Sequence, residues 1–153
     1  MEKLTDLDLD ILRIIQEDAR ISLKNIAEKT YVSAPTVASR IDYMTELGVI
    51  KGYSTLLEPK WLGNNIKTYI NMESAPASRE ELYEFLRSTP HVVECCRVTG
   101  EYSLMIEAHF SDMEALNKFL NHAQQFGRTE TQIVFSTVID RRGLPIPNAK
   151  NKN

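Results

Sequence analysis

The chain has 153 residues, 42% hydrophobic and 25% charged, a composition typical of a globular protein with a buried core. Its length allows one domain or two small ones. No apolar run approaches the ~20 residues of a membrane-spanning helix and the N-terminus is acidic, so we expect no membrane association and a cytoplasmic location. The net charge of −3 argues against a general polyanion binder, so any contact with nucleic acid must come from a local patch.

The first predicted helix begins after Thr5 or Asp6, either of which can cap it, and ends near Ala19. Apolar residues recur in it at i, i+4, i+7 and i+8, which predicts one buried stripe. The stripe consists of Leu7, Ile11, Ile14 and Ile15.

Two further short helices joined by a tight turn are predicted between Ser22 and Leu47. Ser33 suits the N-cap of the second of them, and Pro35 is tolerated in a first turn. Each helix has one apolar stripe, formed by Leu23, Ile26 and Ala27 in the first and by Val37, Ile41 and Met44 in the second. This spacing is that of a helix-turn-helix, although two amphipathic helices also occur in many all-α cores.

The opposite side of the second of these helices carries hydrogen-bonding side chains at i, i+3, i+4 and i+7, with no acid among them. They are Thr36, Ser39, Arg40 and Tyr43. Such a face can read base edges in the major groove.

Gly48 is predicted to end this helix in a left-handed conformation. The apolar residues of the following sequence GVIKGYSTLLEP alternate around a glycine, which predicts a short β-hairpin or an extended wing. Lys51 and Lys60 lie here, and in a winged helix-turn-helix they would touch phosphates, although solvated lysines are more frequent.

After Pro59 the pattern changes from helical to mixed, and Asn64 and Asn65 close the first domain. A strand begins at Ile66, and Ser78 with Glu81 predicts a capping box for a helix that ends at Thr89 and Pro90. The buried stripe of this helix is formed by Leu82, Phe85 and Leu86.

Two strands, 91–99 and 102–110, are predicted around a turn at Gly100 and Glu101. Ser111 or Asp112 then caps a helix, and residues 131–139 form a fourth strand. The stripe of this helix is Met113, Leu116 and Leu120. The order βαββαβ predicts a ferredoxin-like domain with two helices on one sheet face, so the other face is solvated or covered by a partner. The fold class is therefore α+β, with a winged helix-turn-helix domain before the ferredoxin-like domain.

Cys95 and Cys96 are adjacent on a predicted strand, where neighbouring side chains point to opposite faces, so neither an ordinary disulfide nor a zinc site is expected. The three histidines, His91, His109 and His122, are scattered along the sequence. We find no catalytic constellation and expect no cofactor, no metal and no enzymatic activity.

The sequence resembles the leucine-responsive/asparagine-operon (Lrp/AsnC) regulators of bacteria and archaea. The similarity is carried by residues 4–53, with S-x-x-T-V-x-x-R-I followed by L-G-V-I-x-G-Y, by Leu62-Gly63, and by residues 92–120. It implies a DNA-binding domain at 1–50, a wing and hinge at 51–65, an effector-sensing and oligomerisation (RAM) domain at 66–141 and a C-terminal tail at 142–153.

The resemblance also implies double-stranded DNA as partner, homodimers formed through the βαββαβ sheets, and octamers of four dimers. The DNA-binding residues would be Lys24, Ser33, Ala34, Pro35, Thr36, Ser39, Arg40, Tyr43 and Lys51. An amino acid or another small effector would bind between dimers near the loop after the second strand, at Thr99, Gly100, Glu101, Tyr102 and Ser103.

This loop departs from the family pattern. Members that bind an amino acid commonly carry G-x-Y-D, whose aspartate meets the ligand's ammonium group, whereas this chain has GEYS. Ser103 cannot supply that charge, and Glu101 is a substitute only if it points to the same side. Gly100 is equally a turn glycine, and Tyr102 could belong to the core.

Two alternatives to a ligand-responsive regulator are an architectural DNA-binding protein without an effector and an enzyme resembling the sirohaem decarboxylases. The missing aspartate favours the first alternative, and the scattered histidines argue against the second. The tail DRRGLPIPNAKNKN predicts a partly ordered arm, in which Arg141 and Arg142 could pair with a neighbouring subunit or with DNA.

Overall fold

The computed structural model describes residues 4–147, apart from the side chains of Ser74 and Pro76. The chain divides into two units, one up to Thr55 together with the segment that starts at Asp140, and one from Leu56 to Ile139. Each unit has its own cluster of buried apolar residues. Among the described residues, no helix has the length and apolar character needed to cross a bilayer.

The N-terminal unit contains the three predicted helices, α1 (Asp6–Glu17), α2 (Leu23–Thr30) and α3 (Ala34–Glu46). Each begins after a hydroxyl residue, Thr5, Ser22 or Ser33, whose side chain accepts a hydrogen bond from a backbone amide of the first turn. Such caps satisfy amides that have no partner inside the helix. The predicted cap Ser33 is therefore confirmed.

The core of this unit is built from one face of each helix. Ile11, Ile26, Val37 and Met44 are at most 1% exposed. Leu23 is largely exposed, so the stripe of α2 is narrower than predicted. Gly48 has a φ of +73°, as predicted for the glycine that ends α3.

The predicted β-hairpin after α3 does not form, and the alternative of an extended segment is what the structure shows. Residues 51–58 have no regular secondary structure. The amides of Val49 and Ile50 both donate to the carbonyl of Met44, so the start of the predicted hairpin is bonded to the end of α3 and not to a partner strand. No second strand faces 51–58 within the described part of the chain.

The C-terminal unit has the predicted order βαββαβ, preceded by a short 3-10 helix at Pro59–Leu62. All strand pairs are antiparallel, and the spatial order β2-β3-β1-β4 is that of the ferredoxin-like arrangement. The elements are β1 (Ile66–Ser74), α4 (Arg79–Ser88), β2 (Val92–Arg97), β3 (Leu104–Phe110), α5 (Met113–Ala123) and β4 (Gly127–Ile133).

Alternate residues of β1 and β3 form the core with the inner faces of α4 and α5, as the period of two predicted. The buried stripe of α5 differs from the prediction, because Met113 is half exposed. Its buried residues are Leu116, Phe119 and Ala123. Asp112 caps this helix and accepts from the amide of Ala115 at 2.9 Å.

Two predictions in this unit are wrong. The fourth strand is Gly127–Ile133 and not 131–139, because pairing with β1 selects the polar segment, whereas the more apolar residues 134–139 lie beyond the strand. The capping box at Ser78 is absent, because Pro76–Ser78 forms a 3-10 turn that leads directly into α4 and leaves the Ser78 hydroxyl pointing to the carbonyl of Ala75.

Candidate nucleic-acid interface and effector loop

The first turns of α3 present a polar surface. Ser33, Pro35, Thr36 and Ser39 are exposed, whereas Val37 between them is fully buried and holds the helix on the core. The Ser33 hydroxyl accepts from the Thr36 amide at 3.2 Å and lies 2.7 Å from the Thr36 hydroxyl. With no acid in the first turn, the positive end of the helix dipole suits a phosphate or base edges.

Arg40 does not stand on this surface as a free cation. Its Nε donates to Asp8 Oδ1 at 2.8 Å and its Nη2 donates to Asp8 Oδ2 at 2.7 Å, so α3 and α1 are joined by a two-point ion pair. The Asp8 side chain is fully buried, and the guanidinium lies 4.4 Å from the centre of the Tyr43 ring. The predicted run on α3 has no acid among its own side chains, but packing of α1 against α3 brings Asp8 to Arg40.

The electrostatics of this pair follow from its geometry. The Arg40 guanidinium lowers the pKa of Asp8 from 3.8 to about 2, with help from hydrogen bonds donated by Thr5, while burial works in the opposite direction. The same contact raises the pKa of Arg40. Both groups are therefore charged at neutral pH, and the buried carboxylate is compensated.

The other predicted DNA contacts lie around α3. Lys24 is exposed on α2, with Nζ 3.9 Å from Glu28 Oε1, and Lys51 is exposed in the extended segment after α3. Ala34 is half buried and packs on the N-terminal core. The structure thus exposes the hydroxyls of Ser33, Thr36 and Ser39 along the first two turns of α3, whereas Ala34 contributes to packing.

Tyr31 is an exposed aromatic residue beside α3 that was not among the predicted DNA contacts. It lies in the turn between α2 and α3, is 95% exposed, and has a left-handed backbone with φ +57° and ψ +34°. This conformation is uncommon for a residue with a side chain and costs roughly 1 kcal/mol. A bulky aromatic at a turn position next to the cap of α3 is the signal that could have identified it.

The predicted effector loop, residues 99–103, connects β2 to β3. Thr99, Gly100 and Glu101 are exposed, and Gly100 has a φ of +117°, which favours glycine. Ser103 fixes the end of the loop, since its amide donates to the carbonyl of Met72 on β1 at 3.1 Å. The loop therefore ends at a defined anchor on β1, one of the two central strands of the sheet.

Arg128 on β4 connects the loop side chains to the sheet. It pairs with Glu101 and lies 3.8 Å from Glu73 and 5.0 Å from the centre of the Tyr102 ring. The Tyr102 hydroxyl donates to Glu130 at 2.9 Å, and this bond raises the pKa of Tyr102. Tyr102 thus belongs to this polar cluster and not to the apolar core, and Glu101 is already engaged by a cation.

Three further residues, Glu73, Arg128 and Glu130, belong to this polar cluster but are not among the predicted residues of the loop. They lie on β1 and β4, and only the sheet register, which places Glu73 opposite Arg128 and Asn71 opposite Glu130, brings them to the loop. Nothing in the local pattern around residues 99–103 could have indicated them.

A separate cavity of about 350 Å³ lies between α4 and β2. Its lining includes Tyr83, Arg87, Val93, Cys95 and Arg97. The Cys95 and Cys96 thiols are both free, as predicted for neighbours on a strand, and burial raises the pKa of Cys95. Within residues 4–147 no cluster of three or more His, Cys, Asp or Glu could hold a metal ion.

The histidines make separate contacts. His91 Nδ1 lies 3.0 Å from the carbonyl of His109, and His109 Nε2 lies 3.2 Å from Glu107 Oε1. His122 stacks on Phe85 with ring centres 4.3 Å apart. Each ring therefore has its own structural partner, and the three do not converge on one cleft.

Comparison with known proteins assigns each of the two units to a domain family. A model of winged helix-turn-helix DNA-binding domains matches residues 4–51, and a model of the Lrp/AsnC ligand binding domain matches residues 68–144. The transcriptional regulator AzlB of Bacillus subtilis is 31% identical over 151 residues, covering 94% of this chain and 95% of AzlB. The regulator FL11 of Pyrococcus furiosus is 30% identical over 146 residues, covering 94% and 97%.

A solved structure extends this similarity to three dimensions. The feast or famine regulatory protein of Mycobacterium tuberculosis, complexed with L-methionine, superposes with a TM-score of 0.88 at 25% identity, covering 95% of this chain and all of that one. The two domain matches, the relatives and the shared fold agree with one another. The chain therefore belongs to the Lrp/AsnC family of DNA-binding transcriptional regulators.

Proposed function

We propose that this regulator reads DNA with the exposed first turns of α3, and that it acts as a homodimer whose assembly responds to a small effector. The observation that supports the reading surface is the contrast along α3 between the exposed Ser33, Thr36 and Ser39 and the fully buried Val37 and Met44. Lys24, Tyr31 and Lys51 flank this surface and would contact phosphates.

The open face of the sheet supports homodimerisation. Lys67, Tyr69, Glu107 and His109 lie on the face without helices and are half buried. Lys67 Nζ binds Glu107 Oε1 at 2.9 Å, so this polar face is already neutralised by internal pairs, and a second copy can cover it at lower desolvation cost.

Two apolar segments outside the regular secondary structure support the same proposal. Within the described chain, residues 51–57 and 135–139 form no backbone hydrogen bonds, yet they expose large apolar side chains. These include Leu56, Leu57, Phe135, Val138 and Ile139. Apolar surface of this extent usually marks an interface, and backbone groups without partners can pair with another chain. Octamers of four dimers are the further assembly that the family resemblance implies.

The effector would bind at the loop 99–103. The methionine complex of the mycobacterial relative supports an amino acid as its chemical class. In this chain Arg128 already forms an ion pair with Glu101. The ammonium group of an amino acid must therefore either displace Arg128 from Glu101 or use another acceptor. The carboxylate of the amino acid can pair with Arg128.

A binding titration tests the DNA-reading surface. The full-length protein is titrated against the DNA upstream of its own gene and against a scrambled control at two salt concentrations. Ser39→Glu places a negative charge on the reading surface and should lower affinity at least tenfold. Thr45→Glu adds the same charge at the C-terminal end of α3 and should change affinity little.

The outcomes separate the candidate functions. A preference for upstream over scrambled DNA above roughly a hundredfold supports a specific regulator, whereas a small ratio supports an architectural DNA-binding protein. Equal effects of Ser39→Glu and Thr45→Glu would contradict the proposed surface.

A gain-of-function variant tests the effector loop. Ser103→Asp restores the aspartate of the family pattern, so the response of DNA binding to an amino-acid pool should appear or strengthen. Ser103→Asn is the matched variant of the same shape without charge and should respond no more strongly than the wild type. A response in wild type that neither variant alters would place the effector elsewhere.

A further inference from the structure

The Asp8–Arg40 ion pair includes a fully buried carboxylate, which direct contact of Arg40 with DNA does not explain. Asp8 is the one charged residue that is fully buried in the described part of the chain. Its carboxylate accepts from the backbone amide of Thr5 at 2.7 Å and from the Thr5 hydroxyl at 2.6 Å, as well as from Arg40. The acid is therefore fixed in place by the N-terminal cap of α1.

We propose that Arg40 is a positioning residue, which sets the rotation of α3 relative to α1 through its two-point contact with Asp8 and does not itself contact DNA. The proposal rests on the DNA-reading function proposed above. It assigns base and phosphate contacts to the neighbouring α3 residues, and it assigns to Arg40 the orientation of the helix that carries them.

The geometry of the pair supports this assignment. Two parallel N–H···O bonds between a planar guanidinium and a carboxylate fix an angle as well as a distance, which a lysine ammonium cannot do. Because Asp8 is held by Thr5 and the guanidinium lies on Tyr43, each partner is immobilised from its other side. A rotation of α3 would therefore break the pair.

The alternative, in which Arg40 leaves Asp8 to bind DNA, is unfavourable. It would leave a fully buried carboxylate without its cation, and an unpaired buried charge is strongly destabilising. The pair should therefore persist in the complex. Arg40 would then neutralise no phosphate and contribute nothing to the salt dependence of binding.

Asp8→Asn should change DNA affinity in opposite directions under the two roles considered for Arg40, positioning of α3 and contact with a phosphate. If Arg40 positions α3, then Asp8→Asn and Arg40→Gln should each weaken binding to the selected upstream site at least tenfold, with an unchanged slope of log K against log salt. The double variant should lose less than the product of the two effects, because both single variants break the same contact. Asp10→Asn removes an exposed charge from α1 and is the matched control with little effect.

If Arg40 instead contacts a phosphate, Arg40→Gln should reduce the salt slope by about 0.9, while Asp8→Asn should leave affinity unchanged or increase it. That result would overturn the proposal. Arg40→Lys keeps the charge but not the two-point geometry, so retained wild-type affinity would also overturn it. If Arg40→Gln does not fold, Asp8→Asn and Arg40→Lys still decide between the interpretations.

Failure of the proposed DNA-reading function can be distinguished from failure of the positioning role of Arg40. If the wild-type protein does not discriminate the upstream site from scrambled DNA, the specific DNA-reading function fails and the positioning proposal falls with it. If the wild type discriminates but Asp8→Asn binds as tightly or more tightly, only the positioning proposal is lost.

Discussion

The proposed reading surface on α3 and the proposed effector loop are both polar, but they differ in whether their side chains are already paired with other groups of the protein. On α3 the hydroxyls of Ser33, Thr36 and Ser39 are exposed on a capped helix whose orientation is held from the buried side. In the loop, Glu101 is held by Arg128 and Tyr102 by Glu130. A surface of the first kind can bind without rearrangement, whereas the second must exchange partners to accept a ligand.

The largest expected effects are losses of stability in the two hydrophobic cores, one of which supports α3 and the other the loop 99–103. Ile11→Ala and Phe110→Ala each remove a fully buried side chain, one from each core, and should each lower the free energy of unfolding of their own unit by about 3 kcal/mol. Residue-resolved hydrogen exchange measures both. Leu23→Ala, at a largely exposed position, is the control with an effect below about 1 kcal/mol.

If Ile11→Ala and Phe110→Ala each accelerated exchange equally throughout both units, the two cores would not be separate and the comparison would fail. Local acceleration in only one unit for each variant would sharpen it.

The buried side of α3 should respond to acid in a defined range. The folded-state pKa of Asp8, about 2, is lower than its usual 3.8, so the ion pair contributes fully above pH 3.8 and is lost as pH falls towards 2. The shift corresponds to roughly 2 kcal/mol of stability of the N-terminal unit. Unfolding measured between pH 6 and pH 2, in the wild type and in Asp8→Asn, tests it, since the variant should lack this dependence. An identical acid profile in both proteins would contradict the assignment.

Substitution of Tyr31, in the turn before α3, should change the free energy of unfolding and the DNA affinity in opposite directions. Tyr31→Gly relieves the left-handed backbone strain and should raise the free energy of unfolding by about 1 kcal/mol, while DNA affinity should fall if the exposed ring contacts the duplex. Gly48→Ala is the reciprocal control and should destabilise, because Gly48 has a positive φ in open space. Thermal unfolding and DNA titration of the same samples measure both effects.

A Tyr31→Gly protein that is more stable and binds DNA as well as wild type would show that Tyr31 lies outside the interface.

The smallest expected effect is a change in the pKa of Tyr102 in the loop 99–103. The Tyr102 hydroxyl donates to Glu130, which holds the pKa of Tyr102 above its usual value. Glu130→Gln should therefore lower that pKa. A spectrophotometric titration of the phenol, referenced to Tyr102→Phe, measures it. An unchanged titration would mean that the loop contacts are not formed in solution and that its acceptors are free.

Much of the local structure could be predicted. The hydroxyl caps of the first three helices, the glycine that ends α3 and the alternating strands β1 and β3 all follow from rules that act within a few residues of one another. The loop between β2 and β3, which the family resemblance proposes as the effector site, also has the predicted position in the chain. These features needed no knowledge of distant contacts.

Prediction failed where segments compete for a partner far away in sequence. Residues 134–139 are more apolar than β4, yet pairing with β1 selects Gly127–Ile133, because the register that joins Ser74 to Gly127 leaves them beyond the strand. The hairpin after α3 failed for a related reason, since the amides of its first residues, Val49 and Ile50, bond to the carbonyl of Met44 at the end of the helix.

By itself the sequence determined the helices, their caps, the order of elements and the exposed hydroxyls of α3, since these depend on local spacing and on the periods of helix and strand. Only the tertiary structure decided that Arg40 pairs with Asp8, 32 residues away, and that Arg128 and Glu130 meet the loop at Glu101 and Tyr102. The chain offers many acids and many bases of similar local character. Which of them meet is set by how the helices and strands pack, because charge attraction acts strongly only between groups that folding has already brought together.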